Sequence, residues 1–216
     1  LFGATPAADA FFVAYRIPNL LRELFAEGSM SAAFIPVFTE YHTLKTKRDA
    51  WELASATFTT LLTIVTAVTL LGILAAPGIV WLLAPGFRGS PDKLALTTLL
   101  TQMMFPYLIF ISLAALAMGI LNSLRAFAAP AFSPVFFNIF TIACMMFLSP
   151  WLPEPIIGVA IGIVVGGVAQ FAMQLPGLKG RGMLFGLRFQ PGHPGVKRIG
   201  WLMVPSLLGL SVTQIN

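Results

Sequence analysis

Charged side chains are scarce in this sequence of 216 residues: Asp, Glu, Lys and Arg together make up 10% of it, whereas hydrophobic residues make up 57%. A water-soluble domain usually carries about 25% charged residues. So few charges cannot cover the surface of a soluble globule, and most of the molecular surface must therefore face lipid. The composition excludes a water-soluble fold and predicts an integral membrane protein, built as an all-α, polytopic helical bundle.

Residues that carry covalent or metal chemistry are also rare. The single cysteine, Cys144, excludes an internal disulfide. The histidines, His42 and His193, lie in or beside polar connections, where we expect them to be solvated. No phosphate-binding loop or dinucleotide-binding glycine pattern occurs. The sequence therefore predicts a protein that is not an enzyme and uses no metal or cofactor. Any energy that its activity requires must come from an ion gradient, from the membrane potential or from a nucleotide site outside this sequence. The sequence indicates no particular coupling ion.

Long apolar runs are abundant, and a helix that crosses a bilayer needs about 20 mainly apolar residues. Five complete candidate spans and one partial span occur at roughly 9–41, 53–84, 94–124, 132–150, 155–178 and 199–216. We interpret residues 1–216 as a single transmembrane domain. The chain begins without Met and ends inside the last apolar run, so we expect it to be part of a longer chain.

The breaks between these runs carry most of the basic residues. The first, third and fifth breaks hold nine of them: Lys45, Lys47, Arg48, Arg125, Lys179, Arg181, Arg188, Lys197 and Arg198. The second break holds Arg88 and Lys93, and the fourth holds none. Since cytoplasmic connections of membrane proteins are enriched in Lys and Arg, the odd-numbered breaks are predicted to be cytoplasmic. The net charge of +5 then reflects topology, and nucleic acid is not a predicted partner.

Proline and glycine occur inside several predicted spans. Five prolines lie within apolar runs: Pro18, Pro36, Pro106, Pro134 and Pro205. Each removes a backbone hydrogen bond and bends its helix. Bent helices are common in transporters with a central cavity, and prolines are also frequent in ordinary spanning helices. The fifth span contains Gly158, Gly162 and Gly166, whose spacing predicts a close helix–helix contact.

The first span is unusual because it contains six polar or charged residues, which we call the polar stripe: Asp9, Arg16, Asn19, Arg22, Glu23 and Glu27. At about 100° per residue they occupy an arc of about 140° on one side of a helix. A charge at the bilayer centre costs about 2.5–3.5 kcal/mol on insertion scales. We therefore expect the polar stripe to face a hydrated cavity or to pair within the bundle.

Other interpretations of the polar stripe stay open. Asp9 could lie at the membrane interface and cap the start of the helix. Glu23 and Glu27 could neutralise Arg16 and Arg22 within the helix. If the stripe lines a cavity, the planar guanidinium group of arginine suits phosphate or pyrophosphate, which favours an anionic or amphipathic substrate.

Several segments match one known family in order along the chain. The first are Asp9-Ala10-Phe11-Phe12-Val13-Ala14, Ile17-Pro18-Asn19-Leu20-Leu21-Arg22 and Phe25-Ala26-Glu27-Gly28. Later ones include Ser31-Ala32-Ala33-Phe34-Ile35-Pro36-Val37-Phe38, Ala84-Pro85-Gly86-Phe87, Phe105-Pro106-Tyr107, Pro130-Ala131-Phe132-Ser133-Pro134 and Gln174-Leu175-Pro176. Together they resemble the MurJ (MviN) lipid II flippases of the MOP exporter superfamily over essentially the whole chain.

The resemblance implies the first lobe of a protein with two pseudo-symmetric helical lobes around a central cavity. It also implies an activity: alternating access that moves lipid II, the lipid-linked peptidoglycan precursor, to the outer leaflet of the bacterial cytoplasmic (inner) membrane for cell wall synthesis. The pyrophosphate and sugars of lipid II would occupy a cationic cavity while its polyprenyl tail stays among the membrane lipids.

The same resemblance assigns roles within the polar stripe. Arg22 and Asp9 match family positions implicated in transport, Asn19 and Glu27 match a recurrent motif, and Arg16 corresponds to a position of generic positive charge. Two alternatives stay open. One is another MOP-type exporter, for a polysaccharide-linked lipid or a drug. The other is a non-transporting membrane scaffold of cell-wall synthesis.

Overall fold

The structure, a computed structural model, describes residues 5–23, 29–183 and 185–215. These residues form nine α-helices and two short 3₁₀ turns, and none of them forms a β-strand. The helices are α1 (Pro6–Arg22), α2 (Ser29–Leu44), α3 (Lys47–Leu83), α4 (Pro91–Met104), α5 (Tyr107–Ser123), α6 (Ala128–Phe147), α7 (Ile156–Ala172), α8 (Leu175–Lys179) and α9 (Pro194–Ile215). The 3₁₀ turns are Pro85–Phe87 and Ser149–Trp151. The predicted all-α helical bundle is confirmed.

Four stretches of the described chain are long and apolar enough to cross a membrane: Lys47–Leu83, Pro91–Ser123, Ala128–Trp151 and Ile156–Lys179. They correspond to the predicted spans from 53–84 to 155–178. The predicted span over 9–41 corresponds to α1 and α2, on either side of residues 24–28, which lie outside the described residues. The partial span over 199–216 falls in α9.

Proline shapes the stretch Pro91–Ser123, which corresponds to the predicted span over 94–124. Pro106 has no backbone N–H, and the chain turns there, so that α4 ends at Met104 and α5 begins at Tyr107. The Phe105 side chain is buried beside Gly72 of α3, where any side chain would overlap the Phe105 ring. The bend therefore relies on a glycine in the neighbouring helix.

The helix α5 lies at the centre of the bundle. It contacts α7, α2, α3, α1, α6 and α8, and most of its residues are buried. A helix that is apolar on all sides is typically enclosed by other helices or by lipid. By contrast, α6 leaves Phe132, Ile139, Phe140 and Phe147 exposed. We assign this face of α6 to the lipid, because such an apolar surface is unfavourable in water.

The α6–α7 contact is built on the predicted small-residue face. An added Cβ atom at Gly162 would lie 2.9 Å from the carbonyl oxygen of Thr141, and one at Gly166 would lie 2.8 Å from the carbonyl oxygen of Phe137. The Thr141 hydroxyl donates a hydrogen bond to the Gly162 carbonyl at 3.1 Å. The glycines thus let two backbones approach closely enough for side-chain-to-backbone hydrogen bonding.

A methyl group at this contact should therefore destabilise the protein. We expect Gly162→Ala to lower the free energy of unfolding by roughly 1–3 kcal/mol, because the atoms it meets belong to the backbone of α6. Gly78→Ala is the matched control, since an added Cβ atom there has no neighbour within 4 Å. Thermal unfolding of the full-length protein in lipid nanodiscs measures both variants. Equal melting temperatures for the two would contradict a tight α6–α7 contact.

The connections that carry most of the basic residues meet at one end of the bundle. Arg188 pairs with Glu52 of α3, with Nη1 and Oε1 3.0 Å apart, and Arg198 of α9 pairs with Glu40 of α2 at 2.8 Å. Leu124, in the connection between α5 and α6, lines the same cavity as residues at the start of α3. We call this end the basic end, and its described residues are 40–52, 122–127, 177–183 and 185–198.

The opposite end gathers the other connections and the start of α1. Thr5 lines a cavity there together with Lys93 of α4 and Glu154, which lies just before α7. This separation agrees with the alternation of basic residues along the sequence. Assignment of the basic end to the cytoplasm stays a prediction from the positive-inside rule.

Candidate functional site

The start of α1 is set by its own sequence. Thr5 precedes the helix, and its hydroxyl accepts a hydrogen bond from the backbone N–H of Ala8 at 3.3 Å. Pro6 occupies the first helical turn, where its missing N–H costs nothing. Thr5 therefore caps this helix end, and the interpretation of Asp9 as the capping residue was wrong.

Packing against the rest of the bundle sets the rotation of α1. Its buried residues are Ala8, Ala10, Ala14, Ile17 and Pro18. Small alanine side chains allow α1 to lie close to α4, its main neighbour, with further contacts to α5, α7 and α3. Ile17 packs in a cluster with Ala76, Val80 and Phe105. One apolar face of α1 is thus held against the described helices.

The polar stripe lies largely on the other face of α1. Asp9 and Arg16 are exposed, together with Phe12, which is 69% exposed and points to the same side. Asn19 and Glu23 are half-buried. These positions therefore keep part of their surface accessible, and they are not sealed in a dry contact between described helices.

Arg22 differs from the rest of the polar stripe in position. It is half-buried and lies at the border between the stripe and the packed face, since Pro18, one turn earlier, is buried. A side chain at such a border is held laterally by the bundle while part of it stays accessible. Glu27, the last predicted member of the stripe, lies outside the described residues.

Asp9 forms a long-range ion pair that links α1 to α4. The Lys93 ammonium donates a hydrogen bond to Oδ2 of Asp9 at 2.8 Å. The Lys93 side chain is 20% exposed and that of Asp9 is 60% exposed. The Lys93 Nζ atom also lies 4.1 Å from the centre of the Phe87 ring. The lysine is thus placed by its surroundings, and it holds the carboxylate of Asp9.

The role of Lys93 is absent from the sequence-based prediction, which counted this residue only as one of two basic residues in the second break. One feature of the sequence could have suggested the pair: Lys93 and Asp9 carry opposite charges and are predicted to lie at the same end of the bundle. That feature does not identify the pair, because Arg88 lies in the same break. Arg88 instead places its guanidinium 3.8 Å from the centre of the Trp81 ring.

A second polar contact lies within α1 itself. The Asn19 amide nitrogen donates to Oε1 of Glu23 at 2.9 Å, one helical turn away. This contact orients the carboxylate along the stripe. The stripe consequently presents hydrogen-bonding groups of both signs along one side of the helix, which suits a ligand that carries both phosphate and hydroxyl or amide groups.

In the part of the chain that the structure describes, no group of three or more His, Cys, Asp or Glu residues could hold a metal ion. The His42 ring stacks with the Phe38 ring at 6.1 Å and the Trp51 ring at 6.2 Å, and His193 lies 6.0 Å from the Tyr41 ring. Both histidines are half-buried. The expectation that they are solvated was wrong, because His42 lies in α2 and packs on Trp51 of α3, and His193 packs on Tyr41 of α2.

Comparisons with known proteins agree with this architecture. The family model for the lipid II flippase MurJ matches residues 1–216. A probable lipid II flippase MurJ of Vibrio cholerae is 45% identical over all of this chain and 42% of its own length. The lipid II flippase MurJ of Burkholderia cenocepacia is 41% identical, again over all of this chain and 42% of its own length.

A solved structure shows the same relationship. The structure named lipid II flippase MurJ, inward closed conformation, superposes with a TM-score of 0.76 and 26% identity, over 100% of this chain and 43% of the solved one. The chain thus spans about two fifths of the length of the proteins it matches. From its apolar helices and these matches together, this chain is a membrane protein that belongs to the lipid II flippase MurJ family.

Proposed function

We propose that this chain forms the first lobe of a flippase that moves lipid II from the cytoplasmic to the outer leaflet of the bacterial inner membrane. The observation that carries the proposal is that the described residues of the polar stripe all stay exposed or half-buried, whereas the apolar face of α1 packs on the bundle. The relatives that it matches carry the name lipid II flippase. Alternating access is the mechanism that fits two lobes around a central cavity.

The energetic reason concerns where charge can lie in a bilayer. A charge facing acyl chains at the bilayer centre costs about 2.5–3.5 kcal/mol, and the stripe carries several charges. That cost is largely removed if the stripe borders a hydrated cavity. In the complete protein, the exposed face of α1 would line the cavity between the lobes.

Within this cavity, different side chains would bind different chemical groups of lipid II. The guanidinium groups of Arg22 and Arg16 would bind the pyrophosphate of lipid II, since a planar fork of N–H donors matches phosphate oxygens. Asn19 and Glu23 would contact the sugar and peptide groups, and Glu27 is proposed to extend the same surface. The polyprenyl tail would stay among the membrane lipids.

The proposed activity forms and breaks no covalent bond, so the protein is a transporter and not an enzyme. The energy would come from an ion gradient or the membrane potential. Another MOP-type exporter would share the fold and the polar first helix, and would differ in its cargo. A non-transporting scaffold of cell-wall synthesis would need no charged face on α1.

Conditional depletion of the full-length protein in the source bacterium tests the proposal. We expect lipid II to accumulate in the inner leaflet, measured by its failure to react with a membrane-impermeant label, followed by lysis. Expression of the wild-type protein should restore both labelling and growth. Accumulation of a different lipid would favour another exporter. Normal labelling of lipid II during lysis would favour the scaffold.

A further inference from the structure

The basic end contains a cavity that lies apart from the polar stripe. A cavity of about 460 Å³ is lined there by His42, Lys47, Trp51, Leu124, Arg181 and Gly182. Two of these side chains, Lys47 and Arg181, are basic, and none of them is acidic. The positive-inside rule explains why basic residues occur at this end, but it does not require two of them to share one cavity.

The carboxylates of the basic end are engaged elsewhere. Glu52 pairs with Arg48 at 3.3 Å and with Arg188 at 3.0 Å. Asp49 accepts hydrogen bonds from the backbone and the hydroxyl of Thr46, at 3.1 and 2.7 Å.

Glu40 is engaged as well, because it pairs with Arg198 at 2.8 Å. Among the residues that the structure describes, Lys47 and Arg181 therefore form no ion pair with a carboxylate. Both residues are exposed, so their charges are accessible to an anion from outside the protein.

The backbone around Arg181 is held in a fixed shape. The N–H of Met183 donates to the carbonyl of Leu178 at 3.0 Å, and the N–H of Gly182 donates to that of Lys179 at 2.9 Å. These are the two hydrogen bonds of a Schellman motif, which ends a helix with a residue in the left-handed region. Gly182 has φ +78°, a conformation that costs glycine little. Leu178 and Met183 are both buried, which anchors the turn in the core.

This turn places Arg181 and Lys47 on the same cavity. An added Cβ atom at Gly182 would lie only 3.6 Å from Nζ of Lys47, so the turn approaches the lysine closely. Nη1 of Arg181 donates to the carbonyl of Gly177 at 3.0 Å, which orients the guanidinium and uses one of its five N–H groups. The remaining donors are available for a ligand.

Trp51 and His42 line the cavity, and the tryptophan suggests that the cavity lies at the level of the lipid headgroups. Trp51 stacks with His42, and Nζ of Lys47 lies 5.7 Å from the Trp51 ring. Tryptophan is enriched at the level of lipid headgroups, where one edge of its ring is wet and the other apolar. Phosphate groups of lipids lie at the same level.

We propose that this cavity binds a phosphate group. An ammonium and a guanidinium that share a concave site without a carboxylate match the charge and the acceptor oxygens of phosphate. The phosphate can belong to the headgroup of an anionic phospholipid or to a free phosphate anion. The site lies outside the polar stripe, so it adds to the proposed transport function and does not depend on it.

Binding to the purified full-length protein tests this site. The probes are phosphatidylglycerol, followed by native mass spectrometry in detergent, and inorganic phosphate, followed by calorimetry. The double substitution Lys47→Gln/Arg181→Gln removes charge-assisted hydrogen bonds. We expect it to weaken, by about tenfold or more, the binding of whichever probe the wild-type protein binds. The conservative pair Lys47→Arg/Arg181→Lys should retain most of the affinity.

A matched pair of substitutions controls for net charge. Lys179→Gln/Lys197→Gln removes two exposed positive charges from the same end, outside the lining of the cavity. We expect this pair to change affinity by less than about twofold, because exposed charges act weakly at a distance. Binding of phosphatidylglycerol without binding of inorganic phosphate would identify a lipid headgroup as the ligand, and the reverse a free anion.

Two results would overturn the site. One is equal weakening by the two double substitutions, which would mean that net charge alone attracts the probe. The other is binding of neither probe to the wild-type protein. Melting temperatures of all variants exclude misfolding as a cause, and the conservative pair supplies a second variant if the glutamine pair fails to fold. These experiments measure binding to purified protein and do not measure transport or growth. Their outcomes are therefore independent of the flippase proposal.

Discussion

Replacement of Arg22 by alanine in the full-length protein should abolish rescue of a depleted strain while leaving the protein level unchanged. Arg22 is half-buried and lies where the polar stripe meets the packed face of α1, and we propose that its guanidinium contacts the pyrophosphate of lipid II. A bidentate contact to pyrophosphate makes two charge-assisted hydrogen bonds, each worth about 1.5–3 kcal/mol. Their loss should lower the rate of transport by roughly two orders of magnitude or more.

Two comparison variants make this prediction specific. Arg22→Lys keeps the charge but loses the planar fork, and we expect partial rescue. Arg88→Ala removes an arginine that packs on the Trp81 ring, at the end of the bundle opposite to the basic end. We expect nearly normal rescue by this variant. Growth curves and labelling of lipid II by a membrane-impermeant reagent measure all three. Normal growth with Arg22→Ala at wild-type protein levels would exclude Arg22 from the cargo site.

Exchange of the charges of Asp9 and Lys93 should separate an ion-pair role from direct contact with the cargo. Asp9→Lys removes the ion pair and places a second ammonium beside Lys93, so repulsion should loosen the α1–α4 contact and impair rescue. Lys93→Asp should impair rescue in the same way. The double variant Asp9→Lys/Lys93→Asp restores an attractive pair, and we expect it to restore growth.

A neighbouring residue provides the control for this exchange. Asp92 is exposed and adjacent to Lys93 at the start of α4, so Asp92→Lys makes the same change of charge at the same end. We expect Asp92→Lys to grow normally, because exposed charges contribute little. If the double variant stays as inactive as Asp9→Lys alone, Asp9 acts on the cargo or on a coupling ion, and the pair with Lys93 is secondary.

Much of the site could be predicted because it lies on one helix. The positions of Asp9, Arg16, Asn19 and Glu23 on a common face follow from the helical period, which is local and nearly independent of the rest of the protein. The contact between α6 and α7 through Gly162 and Gly166 was predictable for a related reason. Small residues at four-residue spacing have few uses other than close approach of another helix.

Contacts between distant segments were not predictable from these patterns. The pair between Asp9 and Lys93 joins residues 84 positions apart, and its formation depends on how α1 packs on α4. The turn at Pro106, in the predicted span over 94–124, also depends on a contact that the sequence pattern does not reveal. The sequence indicated a bend, but the accommodation of Phe105 beside Gly72 depends on the placement of α3.

The amino-acid sequence by itself determined that this protein is an all-α membrane bundle, which connections carry positive charge, and which face of the first helix is polar. Those features depend on composition and on local periodicity, which act before any tertiary contact forms. Only the tertiary structure decided that the polar face of α1 stays partly accessible, that Lys93 pairs with Asp9, and that Lys47 and Arg181 share one cavity. Each of these depends on packing between segments far apart in the chain, where the shapes of many side chains act together.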